Sequence, residues 1–175
     1  LSATPRAMLL LYLPLLVPQV VFLPGLQTLA LALGIGGTWP AVAAAHLVFV
    51  LPYVFLSLSP PYRALDPRYT TAARALGTSE GRIFWHLRLP LLLAPTLTAF
   101  AVGMAVSIGQ YLPTLLIGGG RVATLTTEAV ALSSGGNRRI IGSFALLQTL
   151  LPAVFFGLAI ALPRLVWRHR RGMLA

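Results

Sequence analysis

From Met8 to Leu33 the chain carries no charged side chain, and that run decides the medium in which it folds. A helix rises ~1.5 Å per residue, so about 20 apolar residues cross a hydrocarbon core ~30 Å thick. Comparable stretches recur over 41–58, 91–117 and 140–165. Only 9% of the residues are charged, where a soluble domain carries about 25%. The predicted fold is all-α: a polytopic transmembrane helix bundle of four spans over 8–33, 41–58, 91–117 and 140–165, forming one domain across 1–175, with a loop over 60–90.

Pro14, Pro18 and Pro24 interrupt the first stretch. In a membrane, neighbouring helices can satisfy the carbonyls that proline frees, so one kinked span is expected, with a pair of short re-entrant segments as the alternative. Gly34 to Pro40 reads as a tight turn that sets Trp39 at the interface. His46 is an ionisable side chain inside the second span. It reads either as a neutral, hydrogen-bonded helix contact or as part of a solute path. In the third span Thr96, Ala99, Gly103, Ser107, Gln110 and Thr114 fall on one stripe at steps of three and four. Small residues at that spacing allow close helix approach, and Ser, Thr and Gln in lipid need partners. The stripe serves packing, or it borders a path at Ser107 and Gln110.

All thirteen basic residues are Arg, and the formal net charge is +10. Five lie in the 60–90 loop (Arg63, Arg68, Arg74, Arg82, Arg88), four near the end (Arg164, Arg168, Arg170, Arg171), and Arg6 precedes the first span. Clustering beside apolar spans is the positive-inside signal; it puts the loop and both ends in the cytoplasm and argues for lipid headgroups rather than nucleic acid as the tail's partner. Arg121, Arg138 and Arg139 in the remaining long loop weaken the contrast without reversing it. Thr124 to Leu132 in that loop could form a short surface helix.

Several chemistries lack their residues. Without cysteine there is no thiolate nucleophile or Cys-based zinc site, and without lysine no Walker-type phosphate loop can be written. Asp66, Glu80 and Glu128 all fall in predicted loops, which argues against proton-coupled transport through an intramembrane acid. His46, His86 and His169 lie far apart, so neither a metal cluster nor a catalytic pair is expected.

The loop is patterned as well as basic. Asp66 can cap a helix that starts at Pro67, and Gly77 can close it in the left-handed conformation. Thr78 or Ser79 can cap a second helix with Glu80 near its positive end, Ile83, Phe84 and Leu87 on one face, and Pro90 as its stop.

Ala72-Ala73, then Gly77, then Leu87-x-Leu89-Pro90 resembles the EAA loop of binding-protein-dependent ABC importer permeases. Thr71 stands where that pattern has Glu, so the resemblance covers the helix-glycine-helix shape and not the charged contact that the Glu makes. Around Gln110-Tyr111-Leu112-Pro113 and Thr124-Leu125-Thr126-Thr127-Glu128 the chain is similar to the thiamine- and ferric-iron-importer branch. The resemblance implies a transport subunit of the bacterial inner membrane, not an enzyme. It implies no cofactor on this chain, with ATP on a partner ATPase dimer. It also implies a second permease half and an extracytoplasmic solute-binding protein. It assigns ATPase docking to Ala72, Ala73, Leu76, Gly77, Phe84, Leu89 and Pro90. A half of this family has five core helices, so at least one is expected upstream of Leu1. The rival reading is a multispan channel or assembly factor without energy coupling.

Overall fold

The structure, a computed structural model, describes residues 5–135 and 138–166, and every described element is helical. The basic tail at Arg168, Arg170 and Arg171, with His169, lies outside the described residues. Helices α1 (Pro5–Leu16) and α2 (Gln19–Ala32) divide the first apolar stretch and meet at 114°. That is a break and not the kink expected of one continuous span. Val17 precedes Pro18, which stands at φ −53° and ψ 130°, and a residue before proline is driven out of the helical region.

Helix α3 (Trp39–Arg63) is capped by Thr38, whose hydroxyl accepts the Ala41 N–H at 3.4 Å, and Pro40 occupies the first turn. It contains the expected 41–58 stretch whole. The 60–90 loop follows as α4 (Pro67–Ala75), α5 (Glu80–Ile83), a π-helical turn (Phe84–Arg88) and α6 (Leu89–Leu91). The chain then bends by 73° into α7 (Leu93–Ile108). After a break at Gly109 and Gln110 come α8 (Tyr111–Gly118), α9 (Leu125–Ser133) and α10 (Arg138–Val166).

The expected single span over 91–117 is therefore two helices. Pro95 and Pro113 account for both discontinuities. Each proline lacks an N–H for the carbonyl four residues back and crowds it with its ring, and those carbonyls belong to Leu91 and Gly109, where the helix bends and breaks. Among the described residues, α3 and α10 are long and apolar enough to cross a bilayer alone; two bent helix pairs reach that measure only together.

A cluster of Ala30, Ala41, Val42, Ala45, Ile117 and Val122 ties α2, α3 and α8 together at one end. Gly37 N–H donates to Ile117 O at 2.9 Å across the same junction. Helix α7 packs on α3 through Gly103, where an added Cβ would sit 2.9 Å from Val54 Cγ2 and 3.2 Å from Val50 Cγ1. Helix α10 lies outside α7, with Phe155 edge-on to Phe100 at 5.9 Å. It leaves Leu146, Leu150 and Val154 exposed, as a face toward lipid would be.

Candidate functional site

Two places concentrate the polar chemistry, and the first is the loop between α3 and α7. Asp66 Oδ1 accepts the Arg68 N–H at 2.8 Å, with Pro67 in the first helical position. At the other end of α4 Gly77 stands at φ +74°. Gly77 N–H donates to Arg74 O at 2.9 Å and Thr78 N–H to Ala73 O at 3.1 Å, which is a Schellman closure. The predicted elbow exists, then, with its cap and its glycine.

Three details differ from expectation. Ser79 holds the cap position of α5 without a side-chain bond. In its place Arg74 Nε donates to Glu80 Oε1 across the elbow. That bond holds the Glu80 carboxyl below the usual carboxylate range and raises Arg74. Pro90 does not stop the helix, because the π turn widens the ring ahead of it: Leu89 N–H reaches back five residues to Phe84 O, where a tighter turn would crowd the proline ring. Finally, of the face expected at Ile83, Phe84 and Leu87, Ile83 alone is buried, 1% exposed, while Phe84 is 44% exposed and edge-on to Trp85 and Leu87 is half-buried.

Among the candidate docking residues, Ala72, Ala73 and Leu76 share one face of α4 with Tyr69, at i, i+3, i+4 and i+7. Leu76 is 85% exposed, and no residue of α4 is buried. Phe84, Leu89 and Pro90 lie beyond the elbow, on the run that leads into α7.

The second place is inside the bundle. His46 of α3 meets Ser107 of α7 through Nδ1 at 2.9 Å and Thr114 of α8 through Nε2 at 2.8 Å. Thr114 Oγ1 donates to Gln110 O at 2.9 Å, so its hydroxyl proton is committed. It can only accept from His46, which assigns the ring proton to Nε2 and leaves Nδ1 to accept from Ser107. Gln110 Nε2 donates to His46 O at 3.3 Å, while its Oε1 is buried without a protein partner. The structure thus brings together His46, Ser107 and Gln110, which the sequence singled out, with Thr114 from the same stripe.

His46 and Ser107 face a cavity of about 800 Å³ that runs between α3 and α7 from Trp39 to Leu58. Its walls are otherwise mainly apolar, with Thr124 and Thr126 near the histidine end. The helix expected at the surface, α9, is tied inward: Thr126 donates to Ile108 O, and Gln148 Nε2 donates to Thr126 Oγ1 at 2.9 Å. Among the described residues no group of His, Asp and Glu could hold a metal ion.

An all-helical chain with an elbow of this register has a family. Residues 5–166 match the family described as binding-protein-dependent transport system inner membrane component. The chain belongs to that family. It is similar to the inner membrane ABC transporter permease protein YnjC of Escherichia coli, 46% identical over 168 residues that make up 96% of this chain and 33% of that protein. It is also similar to the molybdenum transport system permease protein ModB of Mycobacterium tuberculosis, 30% identical over 67% of this chain and 49% of the relative. The spermidine/putrescine transport system permease protein PotC of Haemophilus influenzae is 25% identical over 81% of this chain and 55% of its own length. The permease chain thus spans between a third and somewhat over half of these relatives. No solved structure matches it.

Proposed function

We propose that this permease chain forms part of the translocation path of an ATP-driven solute importer and receives force from a separate ATPase through α4. The observation that carries the reading is the elbow. Helix α4 stands clear of the bundle with a stripe of exposed Tyr69, Ala72 and Leu76 and half-buried Ala73, and the helical run from Glu80 leads through a 73° bend at Leu92 into α7. A push on α4 would tilt α7 against α3 as a rigid body, opening and closing the cavity between them. Ala72, Ala73, Leu76 and Gly77 dock in the ATPase groove, with Phe84, Leu89 and Pro90 shaping the run behind them. His46, Ser107 and Gln110 border the path. A second permease half encloses the other side, and a solute-binding protein delivers cargo from outside.

The stretches at 110–113 and 124–128 support the thiamine- and ferric-iron-like branch. Relatives named for molybdenum and for spermidine/putrescine belong to the same family, so the cargo is found by thermal-shift screening of the cognate binding protein against all four classes. The importer reading itself is tested with Gly77→Val. Beyond its chain neighbours no atom lies within 4 Å of a Cβ at this position, so the substitution acts through φ, at roughly 1 to 3 kcal/mol of strain. Uptake into vesicles and solute-stimulated ATP hydrolysis should both be lost; undiminished activity would remove the docking role.

A further inference from the structure

Helix α4 has no buried residue, so packing does not hold it to the rest of the chain. The Schellman bonds fix Gly77 but leave Thr78 and Ser79 to set the angle at which α5 departs, and Ser79 makes no cap bond that would fix it. Among the described residues, the side-chain bond that joins α4 to α5 is the one from Arg74 to Glu80. Arg88, one helical stretch further on, also helps to hold the Glu80 carboxyl below its usual range. Both members are more than half exposed, at 52% and 60%, and an exposed pair adds little to global stability.

We propose that Arg74 and Glu80 are positioning residues: their ion pair sets the angle of the elbow, so that displacement of α4 reaches α7 instead of being absorbed at Gly77. The inference rests on the importer reading for its consequence, but not for its geometry. The pair is internal to this chain, so it can form before any partner binds. Thr71 supplies no carboxylate at the start of the motif, and Asp66 is engaged at the helix cap. The elbow therefore presents the ATPase with an apolar stripe between arginines, and its remaining carboxylate, Glu80, is engaged with Arg74 across the joint.

Two readouts separate the parts. The full chain lacks cysteine, so spin labels can be attached at Thr71→Cys and Trp85→Cys, both exposed, and their distance distribution measured in detergent without any partner. Arg74→Glu and Glu80→Arg should each broaden the distribution, and the double exchange should restore the narrow one. In vesicles that hold the ATPase, the second half and the binding protein, uptake per ATP hydrolysed should fall about threefold in each single variant, the scale of an exposed pair, and recover in the double. Unchanged distributions in the single variants would overturn the brace. Altered distributions with unchanged uptake per ATP would overturn its coupling role. Failure of the double exchange to restore the distance distribution would overturn the pair as the brace, and failure to restore uptake alone would overturn the coupling role by showing that each side chain serves a partner instead. Absence of uptake in the unmodified complex would overturn the importer reading while the distance measurement still judged the brace.

Discussion

Thr114 is fully buried, and its hydroxyl donates to Gln110 O while accepting from His46. Thr114→Val keeps the shape and leaves the His46 Nε2–H without an acceptor. The expected loss is about 1 kcal/mol, since hydrogen bonds between membrane helices average ~0.6 and reach ~1.7; unfolding in mixed detergent measures it, and Thr114→Ser should recover most of it. Sequence pattern put Thr114 on the polar stripe and His46 inside a span, yet 68 positions separate them. Nothing local says that one answers the other. The Arg74–Glu80 bond was equally illegible, because the turn at Gly77 brings together two positions six apart that a continuous helix would hold apart. By contrast the cap at Asp66 and the left-handed Gly77 use residues whose backbone preference is local, and such features read directly from sequence. The lowered carboxyl at Glu80 means that the bond is complete above the ordinary carboxylate range and is lost as pH falls through the lowered value. The elbow should therefore be insensitive to pH near neutrality.

At the scale of elements, small residues and prolines decide how the helices meet. Gly103 lets α7 approach α3 closely, and a methyl there would press on Val54 and Val50. Gly103→Ala should destabilise the pair by about 1 to 3 kcal/mol through overpacking. Val54→Ala in the same chain should return a large part of that, because two residues in contact do not act independently; a double-mutant cycle by thermal unfolding in detergent gives the coupling. The apolar stretches were legible from their length and lack of charge. Their breaks required reading each proline four residues backward, from Pro95 to Leu91 and from Pro113 to Gly109. The π turn at Phe84–Arg88 lets the helix run on through Pro90 to Leu91, so a residue that looks like a stop lies inside the arm, and the 73° bend comes after it. Pattern alone could not show this, since it depends on which carbonyl Leu89 chooses.

Across the whole molecule the basic elbow and the polar node sit at opposite ends of α3. The elbow follows Arg63 at one end, and His46 lies near Trp39 at the other. Helix α7 joins them, since it continues the arm from the elbow and carries Ser107 near its far end. That arrangement is what a transmitter needs: an exposed contact where the arginines cluster, and a polar contact lining the cavity at a distance from it. The central claim is that the elbow faces the cytoplasm and docks an ATPase there. Because the chain has no cysteine, a single Ala72→Cys on the exposed face of α4 reports it directly with a membrane-impermeant maleimide. The account predicts no labelling in intact cells, full labelling in inside-out vesicles, and protection when the ATPase is bound; labelling from outside intact cells would contradict it.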